Sequence, residues 1–450
     1  MQERLRKIGL CLVAVGLCLA LLVSGAIPVC EAGPEGKERV VKMGLDGIFT
    51  GPLATIACPW GEGVIDYARY VNEQGGIDGI NVEVPWYETR GTVPDSITSH
   101  RKLAQQGMLV EHQALVTIGE TLLPLAMRDE IPIHCLSAPT YQSVSKPQWI
   151  IFTGTTDWAT IFMSFVKWYK ENKWTEARPL RLGYIFYDQS SGWFHLETTK
   201  YFERIGVEFV GYEVVPILGC LDTSTELLRL ANKKADLIYV TSYGMPTVVI
   251  AKDAKRLGLQ DKGITFMASP NTMDECTVNV VKTDADGWLS IKLTPCAWET
   301  EVFPGLKPLI DAARRYRGYG PEEVKGFYMA GWQQSAVAVE AIRLAMEKVG
   351  YENLTGRAVR DAHMTIKDFP VLQFPVTITE DEPGIVSSCG IYPITEAKFQ
   401  SFEAWIWMLP CLVIKPGEFE AALEKPVKWM TNEEAAAAME KAWERAEKAR

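Results

Sequence analysis

Hydrophobic and polar positions along the chain switch between two periods. "VVKMGLDGIFTG" (40–51) is a nearly continuous apolar run ending in glycine, as in a buried strand; Val64, Ile65, Ala68 and Val71 then share one helical face until Gly75-Gly76 stops it. "INVEVPWYE" alternates Val82, Val84 and Trp86 as a strand does, with Pro85 near its end. The order then repeats: a helical stretch from Asp95 to Gly107, a strand over "ALVTI" (114–118), a helix from Leu122 to Asp129 and a strand over "IPIHCL" (131–136). Strand and helix alternate without hairpin signals, which predicts a parallel sheet covered on both faces.

A second block restarts after "IIFTGTTDWAT" (150–160). It predicts a helix over Ile161 to Glu171, strand "RLGYIF", helix Trp193 to Ile205, strand "GVEFVGYEVV", helix Thr223 to Lys234 and strand "DLIYVT". A helix starting at Pro246 leads to strand "GITFMA", and proline suits a first helical turn. A return strand "GWLSIKL" precedes a long helix, Met329 to Val349, and another near Glu352 to Asp361; "FPVLQFPVTIT" (369–379) reads as a further crossing segment. The tail after Thr431 has an N-cap at Thr431 or Asn432, acids in the first turn and bases in the last. Its stripe of Ala436, Met439 and Trp443 favours docking on the protein's own surface over binding a partner. The fold class is therefore α/β, with two Rossmann-like lobes around central, mostly parallel sheets.

The first residues read as an export leader. Arg4, Arg6 and Lys7 precede an uncharged run from Ile8 to Val23, too short for the roughly 20 residues of a bilayer span, and a small-residue tail ends near Ala32. A cleaved signal peptide over residues 1–32 is favoured over a retained anchor, with Ser24-Gly25-Ala26 as a second cutting point; Pro28-Val29 before Cys30 disfavour lipidation. Losing the leader moves the net charge from −10 to −11, and no basic run is present, so nucleic acid and anionic lipid are not expected as partners. Seven cysteines remain, at 58, 135, 220, 276, 296, 389 and 411, none with metal-binding spacing; one or two disulfides are expected, with at least one thiol left free.

The search for an enzyme is mostly negative. HExxH, GxSxG, P-loop and GxGxxG motifs are missing, and His100, His112, His134, His195 and His363 are scattered without metal spacing, so no cofactor or metal is expected. His134, inside an apolar strand, reads as a core histidine. Binding has a geometric basis instead. In a parallel sheet the loops after the strands gather on one edge, where each following helix points free N–H groups. Gly119-Glu120-Thr121 and Ser137-Ala138-Pro139-Thr140 fit such loops, and so do Ser190, Ser191 and Trp193, Ser242 and Tyr243, and Ser269 and Asn271 in the second block.

From Val40 to Phe402 the chain resembles the solute-binding proteins of ABC importers in the branched-chain amino acid (Leu/Ile/Val-binding) family. The matching stretches are "GIFTGP", "YVNEQGGIDGINVEV", "IGETLLPLAMRDEIPIHCLSAPT", "RLGYIFYDQSSGW", "TELLRLANKKADLIYVTSYG", "AKDAKRLGL", "MAGWQQSAVAVEAI" and "LTGRAVRDAHMTIKDF". The resemblance implies the type I periplasmic binding protein fold, with three crossings near Thr153 to Asp157, Leu289 to Thr294 and Phe369 to Val376. Lobe 1 would comprise residues 39–154 and 293–370, lobe 2 residues 155–292 and 371–408, and residues 409–450 a C-terminal extension. It further implies that Glu120, Thr121, Ala138 and Thr140 hold the ligand's carboxylate, with Ser137 beside them, and that Trp60 and Tyr243 supply aromatic walls.

Two departures bear on the ligand. Amino-acid-binding members place a carboxylate after the "GITFMA"-type strand to pair the ammonium, whereas this chain has Ser269-Pro270-Asn271 there, unless Asp274 or Glu275 swings in; Ser191 and Trp193 replace a common tyrosine. Glu120 would repel an anionic ligand by several kcal/mol if both were desolvated. The expectation is a monomeric periplasmic receptor, not an enzyme. It would trap an apolar or aromatic carboxylate or amide, or a branched-chain amino acid, by hinge closure and deliver it to ABC permease subunits. The alternatives are a sensor subunit for a membrane signalling receptor and, from another class, a periplasmic hydrolase or lyase.

Overall fold

The computed structural model describes residues 39–51, 53–136, 148–152, 158–270, 272–380, 384, 387–410 and 416–449. The expected signal peptide and the first expected crossing, 153–157, lie outside the described residues. A six-stranded sheet is built from β1 (Val40–Gly47), β2 (Asn81–Glu83), β3 (Trp86–Glu88), β4 (Val110–Gln113), β5 (Ile133–Cys135) and β6 (Ile150–Phe152). The order is β2-β1-β4-β5-β6, with β3 also on β1, and the pairs β1/β3, β1/β4, β4/β5 and β5/β6 are parallel.

A nine-stranded sheet takes β7 (Leu180–Tyr187), β8 (Val207–Val215), β9 (Leu237–Thr241), β10 (Thr265–Ala268), β11 (Leu289–Lys292), β12 (Ser388–Thr395), β13 (Lys398–Phe399), β14 (Ala404–Trp407) and β15 (Trp429–Met430). Strands β7 to β11 pair in parallel, while β12, β14 and β15 close one side antiparallel. Every residue of β9 is buried, because helices cover both faces of such a sheet. After β11 the chain returns to the first sheet. Helix Gly326–Val349 packs along helix Ala54–Glu73, and helix Gly356–His363 reaches β5, where the Nε2 atoms of His363 and His134 lie 2.7 Å apart.

The two long helices cross through glycines. A Cβ on Gly63 would lie 2.1 Å from the Tyr328 carbonyl oxygen, and one on Gly331 2.0 Å from that of Trp60, so only glycine permits this approach. The tail helix Asn432–Ala449 is capped by Thr431: its Oγ1 accepts from the Glu434 N–H, and Glu434 accepts from the Thr431 N–H. Ala435, Met439 and Trp443 dock on a cluster with Phe303, Leu306 and Leu309.

Several expectations are corrected. The strand over "ALVTI" is instead the start of helix Val116–Asp129, and the strand lies earlier, at Val110–Gln113. The stretch Trp193 to Ile205 is a short helix, Ser190–Phe194, followed by a 3₁₀ helix, His195–Ile205. Helix Leu306–Arg317 and the antiparallel strands β12 and β14 were not anticipated. No disulfide forms among Cys58, Cys135, Cys220, Cys276, Cys296 and Cys389, the cysteines of the described residues after the expected leader; Cys411 lies outside them. No helix among the described residues is long and apolar enough to cross a membrane.

Candidate functional site

Strand β4 carries Glu111, His112 and Gln113, all buried, which an apolar pattern cannot signal. Each has a distant partner or a burial cost. On one face Gln113 Nε2 donates to Asp46, whose carboxyl is pushed up to about 6 by burial, and Glu111 meets His100 Nδ1 at 2.5 Å. Burial acts to lower the His100 pKa, but Glu111 and Asp129 outweigh it and raise it. On the other face His112, His134 and His363 stack edge to face, with centroids 5.2 and 4.7 Å apart. Burial lowers all three, His112 to about 3 and His363 to about 4. They are neutral core rings, and among the described residues no side-chain group has the makings of a metal site.

Because β4 ends at Gln113, the edge of the first sheet is formed by Ile48, Phe49, Ala114, Leu115 and Leu136. Ile48, Ala114 and Leu136 join Trp60, Phe327 and Ala330 in one apolar cluster, with Phe49 and Leu115 packed on it. Helix Val116–Asp129 starts here from Leu115 with no side-chain cap among the described residues, and the first amides of a helix have no acceptor within it. Gly119 lets that helix close on β5, since a Cβ there would meet Cys135 Sγ at 2.3 Å.

The expected contacts in this lobe are redistributed. Glu120 and Thr121 sit in the second turn of the helix rather than in a loop; Thr121 is exposed and its Oγ1 donates to the Thr117 carbonyl at 2.8 Å. The cause is the upstream shift of β4, which turns the residues expected in the loop into helix. Trp60 is also not in a loop: it is fully buried within helix Ala54–Glu73 and its Nε1 donates to Gln334 Oε1 at 2.7 Å. Ser137, Ala138, Thr140 and Asn271 lie outside the described residues.

In the second lobe, Ser242 and Ser269 follow the adjacent strands β9 and β10. Thr272 ties them together: its Oγ1 accepts from the Ser242 N–H at 3.2 Å and lies 2.8 Å from Ser269 Oγ. This buried network orders the strand ends. Tyr243 is half-buried edge-on to Tyr187, and burial raises its pKa well above the usual value. Ser191 falls in helix Ser190–Phe194. Trp193 is 43% exposed, donates to Asp188 Oδ1 at 2.8 Å and packs against Phe186 and Tyr212, on the side of strand β8. Tyr243 and Ser269 are thus on neighbouring strand ends, while Trp193 stands apart.

Asp274 and Glu275, the remaining carboxylates near that edge, are occupied. Asp274 caps helix Glu275–Val281 by accepting from the Thr277 N–H at 2.6 Å. Burial opposes ionisation of Glu275, but its ion pair with Lys292 outweighs this and lowers its pKa. Its other oxygen accepts from the Gly326 N–H at 3.4 Å, at the head of the long helix of the first lobe. A cavity of about 20 Å³ opens here, lined by Asp274, Glu275, Lys292, Thr294 and Phe327.

A family model described as periplasmic binding protein matches residues 40–397. The chain is 21% identical over 361 residues to Leu/Ile/Val-binding protein homolog 7 of Brucella abortus strain 2308, covering 72% of this chain and 88% of the relative. The homolog 7 of Brucella suis biovar 1 is 22% identical over 368 residues, covering 74% and 88%. Among solved structures, a branched chain amino acid ABC transporter from Thermus thermophilus with bound valine matches with TM-score 0.72 and 19% identity, over 84% of this chain and 98% of that one. A fatty acid ABC transporter substrate-binding protein from Thermomonospora curvata gives 0.69 and 18%, over 86% and 96%.

Proposed function

We propose a function from the premise that the chain belongs to the periplasmic binding protein family, whose model spans residues 40–397. It is a binding protein and not an enzyme. In our reading it is the extracytoplasmic receptor of an ABC importer. A small solute is held between the carboxyl edges of the two sheets, and hinge closure around it offers a surface to membrane permease subunits. The lobes are those bounded by residues 39–154 with 293–370 and 155–292 with 371–408, and residues 409–450 extend the second sheet through β15.

The solute has an apolar or aromatic body with a carboxylate or amide head, and branched-chain amino acids rank second. One observation carries this preference: Asp274 and Glu275, the carboxylates that could pair an ammonium, are committed to a helix cap and to Lys292. The apolar cluster of Ile48, Ala114, Leu136 and Phe327 supports an apolar body, and the uncapped start of helix Val116–Asp129 supports a polar head. In this reading the backbone at Ala114 to Thr117 takes over the role expected of Glu120 and Thr121, beside Ser137, Ala138 and Thr140. From the second lobe, Tyr243 and Ser269, at neighbouring strand ends, are the counterparts this reading proposes, together with Ser191 and Asn271.

Thermal unfolding against amino acids, aromatic acids, amides and short fatty acids tests the proposal. A solute at 100 times its dissociation constant adds roughly 2.7 kcal/mol of stability. Stabilisation by an aromatic or fatty acid, lost in Tyr243→Ala, is the expected result. Stabilisation by leucine or valine alone would overturn the ligand class, and no response to any solute would overturn the receptor reading.

A further inference from the structure

Away from the edges of the sheets, a cavity of about 130 Å³ lies between the two long helices of the first lobe, the segment Phe369–Leu372 and the tail helix. Its walls are aromatic. Tyr67 and Tyr70 pack on Trp332, with centroids 5.0 and 5.3 Å away, and Trp443 of the tail helix closes another side. Gly305 lets that indole seat closely, since a Cβ there would lie 2.6 Å from it.

Gln333 also lines this space. It is 0% exposed, and neither its amide nitrogen nor its amide oxygen has a hydrogen-bond partner among the described residues. The indole N–H of Trp443 is likewise buried and unpaired. A buried amide with both ends unmet costs about 1–3 kcal/mol per group, so a site of this kind favours a guest that supplies both partners. A cavity near 150 Å³ accommodates a benzene-sized ring.

We propose that this cavity is a second small-molecule site, distinct from the interlobe cleft. It takes a flat, single-ring compound whose edge carries an adjacent hydrogen-bond donor and acceptor, an aromatic carboxamide or a pyrimidine lactam. The Gln333 side chain pairs with that edge in both directions, and Tyr67, Tyr70, Trp332 and Trp443 enclose the ring. Because Phe369 and its neighbours form one wall, the guest sits against a segment expected to cross between the lobes.

Titration of the full chain with benzamide, nicotinamide and thymine, read by tryptophan fluorescence and calorimetry, tests the site, with toluene as a ring lacking the polar edge. Saturable binding of at least one amide-edged compound, about tenfold weaker or worse in Gln333→Met and in Trp443→Ala, is the expected result. Tyr243→Ala, which alters the cleft, leaves that binding unchanged. Loss of binding in Tyr243→Ala but not in Gln333→Met would put the compound in the cleft and overturn the proposal. So would absence of binding by every amide-edged probe, or equal binding of toluene, outcomes that fit an amide holding water alone.

Discussion

Replacing Gly331 by alanine sets two effects of opposite sign against each other. In a helix interior, alanine is favoured over glycine by roughly 1 kcal/mol, so residue preference alone predicts a gain. The crossing predicts a loss. The added Cβ would lie 2.0 Å from the Trp60 carbonyl oxygen, where carbon and oxygen need about 3.3 Å, and the obstacle is backbone that cannot rotate aside. The helices must part by more than about 1 Å. Overpacking of this sort costs about 1–3 kcal/mol, and separation also strains the bond from Trp60 to Gln334, worth about 1 kcal/mol. Set against the roughly 1 kcal/mol gained from helix preference, a net loss of about 1–3 kcal/mol results. Urea unfolding reads it as a lower midpoint with an unchanged slope. Gly417→Ala is the control: this helical glycine has nothing within 4 Å of the added carbon, and its midpoint holds or rises by the equivalent of up to about 1 kcal/mol. If Gly331→Ala behaved like Gly417→Ala, the close crossing of the two helices would be wrong.

Two further predictions concern buried charge. Lys292→Met leaves Glu275 without its cation between the second sheet and Gly326, and lowers stability by about 3 kcal/mol; adding Glu275→Gln recovers most of it, and a cost well below 1 kcal/mol for the single variant would refute the burial of the pair. Glu299, which accepts from the Tyr392 hydroxyl at 2.7 Å, is pushed from 4.5 to about 7 by burial. Its folded form takes up a proton at higher pH than its unfolded form, so its contribution to stability is full below pH 4.5 and is lost as pH rises through about 7. Glu299→Gln removes this dependence: the variant gains on the wild type by on the order of 3 kcal/mol from pH 4.5 to pH 8, measured as the difference in urea midpoints. A difference independent of pH would refute the assignment. The histidines lowered by burial destabilise both proteins alike below pH 6.5 and cancel in the comparison.

The alternation of strands and helices was legible because burial on both faces of a parallel sheet demands apolar runs, and "RLGYIF" and "DLIYVT" supply them at β7 and β9. The Thr431 cap of the tail was legible because capping is local. The position of β4 was not. Its residues Glu111, His112 and Gln113 look like surface, and the apolar "ALVTI" next to them drew the strand four residues downstream. That shift put Glu120 and Thr121 in the second turn of a helix rather than in a loop and left Ala114 to Thr117 following the strand.

By itself the sequence determined the α/β class, two sheets in series and an acidic chain without basic patches, since these rest on local periodicity and composition; the family was legible only through the resemblance of particular stretches. Only the tertiary structure decided which polar residues are interior. Asp46 meets Gln113, His100 meets Glu111 and Asp129, and His134 meets His363, 229 positions away; Trp60 likewise finds Gln334 across 274 positions. A polar side chain is tolerated inside when a partner offsets its lost hydration, and partners brought together by folding leave no periodic trace along the chain. The same holds for Gln333, whose buried, unpartnered amide lines a cavity that Trp443 of the tail helix also lines.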